Sequence, residues 1–143
     1  MTIGYEATPA EAVLGRLEGA GVRLLVDVRA IAASRRPGFS KRQLAAGLSE
    51  HGIDYLHLRA LGTPKEGRLA ARRGDMTMLE RIYMAHFATP EAQAEFAELK
   101  RLVASGRPIC LLCYERDHRQ CHRRFIAEAI EDGLGVAAEH LAA

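Results

Sequence analysis

The 143-residue chain is long enough for one domain with its own core, and 48% hydrophobic with 27% charged residues places it in the globular class, not among disordered or fibrous chains. A formal net charge of +2 is too small to mark a nucleic-acid binder by itself, although basic residues crowd three segments, 34–42, 65–73 and 116–124, which would attract an anion if they met in space. Three cysteines, an odd number, argue against a disulfide framework and fit a reducing cytoplasm; no signal peptide is expected before the first strand, and no apolar run approaches the length of a membrane span.

In chain order, "MTIGY" (1–5) is a short apolar start. Thr8 then reads as a helix N-cap, with Pro9 at the first helical position and Glu11 as capping-box partner. Val13, Leu14 and Leu17 supply the helical stripe, and Gly19 and Gly21 end it. "VRLLVDVR" (22–29) is the nearly continuous apolar run of a strand covered on both faces. Ser40 opens the next helix, with Gln43 completing a capping box, Phe39 stapling onto Leu44 and Gly52 closing it. The alternation in "IDYLHL" (53–58) predicts a third strand. Residues 62–74 read as a polar loop. Two helices follow, one from about Asp75 to Phe87 and one from Thr89-Pro90 that carries Phe96, Leu99, Leu102 and Val103 on one face. "PICLLCY" (108–114) is the fourth strand, His122 to Glu131 the last helix, and "GVAAEHL" (135–141) a fifth strand. The alternation predicts a single α/β domain over 1–143, Rossmann-like, with a mainly parallel sheet of four or five strands and helices on both faces.

Ligands of open α/β sheets bind beyond the carboxyl ends of the strands, near the switch in strand order. If the first and fourth strands are neighbours, Tyr5-Glu6 and Tyr114-Glu115 flank one crevice, with Asp27 and Arg29 beside it. Glu6 and Glu115 are then candidates for acid–base work, each with the alternative of capping a loop or meeting an arginine. Arg29, Arg35 and Arg36, with Lys41, would form an anion wall; Tyr5 and Tyr114 could stack on a base or sugar, or serve as core residues with a wet hydroxyl.

The densest chemistry lies in "CYERDHRQCHRR" (113–124). Cys110 and Cys113 have a C-x-x-C spacing, but residues three apart on a strand face opposite ways, so Cys110 reads as a small buried hydrophobe. The remaining donors are Cys113, His118, Cys121 and His122, and adjacent Cys121 and His122 would have difficulty reaching one ion together with Cys113. No metal and no cofactor are therefore expected. Cys113 to Arg119 spells C-x5-R, but without a glycine and with Glu115 and Asp117 where an anion should sit, so a phosphate loop is not favoured. Cys121, His122 and Arg123 fall in the first turn of the last helix, whose positive end favours an anion and a thiolate at Cys121, helped by Arg119, Arg123 and Arg124. Arg123 either forks onto a bound anion or pairs with Glu115 or Asp27.

The segments "TIGYE", "LVDVRAIAASRRPGFSK", "HGIDYLHLRALGTPK" and "LLCYERDHRQCHR" occur in an order and at a spacing that resembles the DUF488 family, over nearly the whole chain to the closing "EHL". The most specific part is C-x-E followed by C-H-R; Ala32 departs from the pattern, standing where many members carry proline. The resemblance implies a Rossmann-like fold and a site at the strand ends, and names no reaction. The expectation is an enzyme acting on a small anionic or nucleotide-like substrate. Glu115 or Glu6 would be its acid–base group, Arg29 and Arg123 its anion contacts, and Cys113 or Cys121 its nucleophile. The rival is a nucleic-acid-binding or partner-binding module whose basic loops do no chemistry. Basic loops converging on a deep crevice favour the first and a flat basic stripe the second.

Overall fold

The computed structural model describes residues 1–143. Five strands, β1 (Thr2–Gly4), β2 (Leu24–Asp27), β3 (Asp54–His57), β4 (Ile109–Cys113) and β5 (His140–Leu141), pair in the order β3-β2-β4-β1-β5, every pair parallel. Six helices connect them: α1 (Ala10–Gly19), α2 (Lys41–Glu50), α3 (Lys65–Arg72), α4 (Met76–Phe87), α5 (Pro90–Ala104) and α6 (Arg123–Leu134). This is the parallel, Rossmann-like α/β sheet expected from the sequence.

The period-2 alternation of strands sorts the central residues into two cores. Leu25, Cys110 and Leu112 face α1 and α2, where they meet Val13, Leu17, Leu44 and Leu48. Val26, Leu111 and Cys113 face the other way, against Leu79, Tyr83, Leu99, Phe125 and Ile126 of α4, α5 and α6. Cys110 and Cys113 thus lie on opposite faces, as their spacing requires. From β1 the chain winds toward the β3 edge with its helices on one face. After β3 it returns toward β5 with its helices on the other. The loops that follow β2 and β4, which are neighbours, therefore leave the sheet in different directions, and a crevice opens between them.

Two glycines let these loops close on one another. A Cβ on Gly4 would lie 1.8 Å from the Glu115 carbonyl oxygen, and one on Gly62 would lie 2.2 Å from the Ala30 backbone nitrogen. Only the bare backbone permits such approaches.

Local details differ from the sequence reading. Pro9, not Thr8, is the N-cap of α1. Proline has no N–H for Glu11 to accept, so the capping box cannot form, and Thr8 donates to the Glu6 carbonyl instead (3.1 Å). Ser40 does sit at the N-cap of α2, but its hydroxyl closes the preceding loop by bonding the Ser34 backbone, and Gln43 accepts from the Gly38 N–H. The supposed loop 62–74 contains α3. The last helix starts at Arg123 and runs on to Leu134, where Gly135 takes the left-handed conformation (φ 68°). Only two residues of the 135–141 segment pair as β5.

Candidate functional site

A crevice of about 620 Å³ opens at the carboxyl ends of β1, β2 and β4. Tyr5 and Glu6 line it from the β1 loop, Arg29 from the β2 loop, and Cys113, Tyr114 and Glu115 from the end of β4. His122 borders it ahead of α6, and Arg68 and Arg72 form a wall from α3.

Cys113 and His122 of its lining belong to a cluster of two sulfurs and an imidazole completed by Cys121 behind them. Nδ1 of His122 lies 3.6 Å from Cys113 Sγ and 3.7 Å from Cys121 Sγ, and all three residues are buried. The difficulty expected for adjacent Cys121 and His122 in reaching one point together with Cys113 is overcome: the three donor atoms lie within 4.8 Å of one another. Cys121 is extended (φ −136°, ψ 146°) and His122 helical (φ −63°, ψ −21°), and this abrupt change of backbone brings two adjacent side chains to one place. The ring is oriented from behind: Nε2 sits 2.7 Å from the Val28 carbonyl, which can only accept, so Nε2 carries the proton and Nδ1 faces the sulfurs. The Arg123 backbone N–H also points at Cys121 Sγ (3.5 Å).

The electrostatics divide the two thiols. Burial pushes the Cys121 thiol up, but the hydrogen bond from Cys113, the charge and hydrogen bond of His122 and the charge of Arg123 outweigh it and hold the thiol well below its ordinary range. The hydrogen bond to Cys121, then burial, hold Cys113 well above that range. Burial pulls the His122 imidazole down, but the Cys121 thiolate and the Val28 carbonyl leave it raised. Glu115 is pushed up to about 7 by burial and then by the negative Cys121; its Oε2 is buried without a hydrogen-bond partner.

The family model described as Domain of unknown function DUF488 matches residues 9–130, from the start of α1 well into α6. The chain belongs to the DUF488 family. No curated protein and no solved structure matches it significantly. Within this DUF488 domain the matched span holds Cys113, Glu115, Cys121, His122 and Arg123, whereas Tyr5 and Glu6 on the β1 loop precede it.

Several residues expected to bind ligand make hydrogen bonds that brace the fold. Asp27 is fully buried and stands back from the crevice. It accepts from the Arg29 backbone N–H (3.1 Å), from Arg29 Nε (2.9 Å) and Nη2 (2.7 Å), and from the Tyr55 hydroxyl (2.6 Å). Arg29 spends its remaining Nη1 on Tyr5 Oη and the Phe39 carbonyl, so it borders the crevice as a strut more than as an open anion contact. Arg123 is fully buried and pairs with neither Glu115 nor Asp27 through a carboxylate. Its guanidinium donates to the Thr2 hydroxyl and to the Glu115 and Arg116 carbonyls, which fixes the loop after β4. Arg36 donates to the Tyr5 and Thr8 carbonyls, and Arg35 is exposed and outside the crevice lining. Glu6 Oε1 accepts from the Arg116 N–H (3.1 Å), the loop-capping role. Tyr5 stacks on Phe39 with ring centroids 4.2 Å apart, while Tyr114, edge-on to Tyr5, stays 44% exposed and free to meet a ligand.

The arginines that do face the crevice, Arg68 and Arg72, stand on α3, within the 62–74 segment that the sequence presents as a polar loop. Their i, i+4 spacing was the available signal, since it places both on one face of a helix. Arg68 reaches the Thr63 carbonyl (2.8 Å), and Arg72 is exposed. The basic 116–124 segment turns its Arg119 outward onto Asp117.

Proposed function

We propose that the protein is an enzyme acting on a small anionic, nucleotide-like substrate held in the crevice at the strand carboxyl ends. The observation that carries this reading is Glu115: it lines the crevice beside the Cys113–Cys121–His122 cluster, and a buried carboxylate oxygen on it has no partner within the protein. A buried acceptor is ordinarily satisfied, so an unspent one in a crevice wall is available to a ligand or a transferred proton. In this reading Arg68 and Arg72 hold the anion, and the exposed Tyr114 ring offers a stacking surface for a base or sugar. Glu115 takes a proton from the attacking group and returns it to the leaving group, which suits a carboxyl titrating near neutral pH. Cys121, paired with His122, is the electron-rich group at the reacting centre. Glu6, tied to the loop through the Arg116 N–H, positions the wall.

A nucleic-acid-binding role is the weaker reading, because Arg29, Arg36, Arg119 and Arg123 are engaged inside the protein and the basic residues left at the site border a crevice. The test is to identify small molecules that copurify with the native protein by mass spectrometry and to measure their affinity for the Arg68→Gln/Arg72→Gln and Glu115→Gln variants. The arginine variant is expected to lose affinity on the order of 100-fold, and Glu115→Gln to retain binding while losing turnover. Unchanged affinity in the arginine variant would remove the anion wall.

A further inference from the structure

We propose that Cys113, Cys121 and His122 form a binding site for a divalent transition-metal ion, zinc by its donor set, with three protein ligands and a fourth position open to the crevice. The inference rests on the reading of the crevice as an active site and names what its reactive centre holds.

The first argument is distance. A tetrahedral zinc with Zn–S of about 2.3 Å and Zn–N of about 2.0–2.1 Å keeps sulfur and nitrogen about 3.5 Å apart. The two sulfur–nitrogen separations here are 3.6 Å and 3.7 Å, and all three donor atoms lie within 4.8 Å of one another. Two edges of the tetrahedron are already set.

The second argument is the ring's orientation. Metal-binding histidines commonly donate their other ring N–H to a carboxylate or a backbone carbonyl, which fixes tautomer and direction. Nε2 of His122 meets the Val28 carbonyl at 2.7 Å, so the Nδ1 lone pair points at the sulfurs. Nδ1 faces both sulfurs, at 3.6 Å and 3.7 Å, so one ion between them would meet all three donor atoms.

The third argument is charge. Two thiolates neutralise a divalent ion, and a neutral centre suits residues that are 6%, 2% and 5% exposed. The backbone N–H of Arg123 directed at Cys121 Sγ further supports a ligating thiolate. Thiolate and imidazole donors select zinc and its neighbours over magnesium or calcium, which take oxygen.

The site has the form of a reactive centre, not a structural clip. Structural zinc sites are closed by four protein ligands, and only three converge here. Cys113 and His122 border the crevice, and so does Glu115 with its unpartnered Oε2, so the vacant position faces the substrate space.

The test uses the full chain, stripped with a chelator under reducing conditions and titrated with Zn²⁺ against a chromophoric competitor, then with Co²⁺ as a spectroscopic substitute. One ion per chain is expected. The cobalt form should show the visible bands of a four-coordinate ion and a near-ultraviolet thiolate charge-transfer band. Cys113→Ser, Cys121→Ser and His122→Ala should each weaken binding on the order of 100-fold or more, while Cys110→Ala, altered on the opposite face of the sheet, should not. Where a variant does not fold, the stoichiometry and spectrum of the unaltered protein decide. Substoichiometric uptake, a cobalt spectrum without the thiolate band, or an equal loss in Cys110→Ala would overturn the proposal. Inorganic phosphate is then titrated by calorimetry into the stripped and metal-treated protein. Phosphate binding without metal uptake sinks the metal site and leaves the anion crevice standing, whereas metal uptake without phosphate binding in either form does the reverse.

Discussion

Replacing Glu115 with glutamine should change how the stability of the metal-stripped protein depends on pH. Burial and the negative Cys121 raise the Glu115 carboxyl from an ordinary 4.5 to about 7. The folded protein therefore holds this proton where the unfolded chain has released it. Stability from this group is fully present below about pH 4.5 and is lost as pH rises toward 7. At about 1.4 kcal/mol per pH unit, the rise corresponds to at most about 3 kcal/mol lost by pH 8. Glutamine keeps the shape without the titration. The difference in unfolding free energy between Glu115→Gln and the parent should thus grow by up to about 3 kcal/mol, in the variant's favour, between pH 4.5 and pH 8. Urea unfolding at half-unit pH intervals measures it. Adding Cys121→Ser to the parent should move the midpoint of the pH dependence down, because the Cys121 charge is the second cause of the shift. Parallel stability profiles for the parent and Glu115→Gln would refute the argument, since they would mean that the carboxyl is as well solvated folded as unfolded.

Gly4→Ala should cost more than about 3 kcal/mol, at the upper end of overpacking losses, because its Cβ would sit 1.8 Å from the Glu115 carbonyl oxygen and that obstacle is backbone; chemical denaturation checks it, and a loss below about 1 kcal/mol would contradict the close approach. Arg123→Met should destabilise the fold by about 3 kcal/mol or more, since it leaves the Thr2 hydroxyl and the Glu115 and Arg116 carbonyls without their donor; an unaffected fold with lost ligand binding would instead restore Arg123 as an anion contact. Binding to generic duplex DNA at physiological salt should be no tighter than about 10⁻⁴ M, given the net charge of +2 and the internal use of several arginines; a fluorescence anisotropy titration showing tighter, strongly salt-dependent binding would favour the nucleic-acid reading.

The continuous apolar runs of β2 and β4 and the alternation of strands with amphipathic helices determined the fold class, because a segment covered on both faces must be apolar throughout. The same parity placed Cys110 and Cys113 on opposite faces before any coordinates. The level of the site was legible too: polar residues closing the strands at Glu6, Arg29 and Glu115 marked the carboxyl edge. Composition could not tell which arginines were spent. Asp27 claims Arg29 through a contact two residues away, but Arg123 finds its acceptors on Thr2 and the loop after β4, and nothing local distinguishes such a strut from an anion ligand. Arg68 and Arg72 are hidden for the opposite reason: α3 is short and strongly charged overall, and although its charged and small residues separate onto opposite faces, the helix is stabilised mainly by packing against α4. The cluster of Cys113, Cys121 and His122 was decided by tertiary structure alone. Sequence spacing gives each side chain's order along the chain, whereas their meeting depends on the backbone change at Cys121–His122 and on the Val28 carbonyl, ninety-four positions from His122, that turns the ring toward the sulfurs.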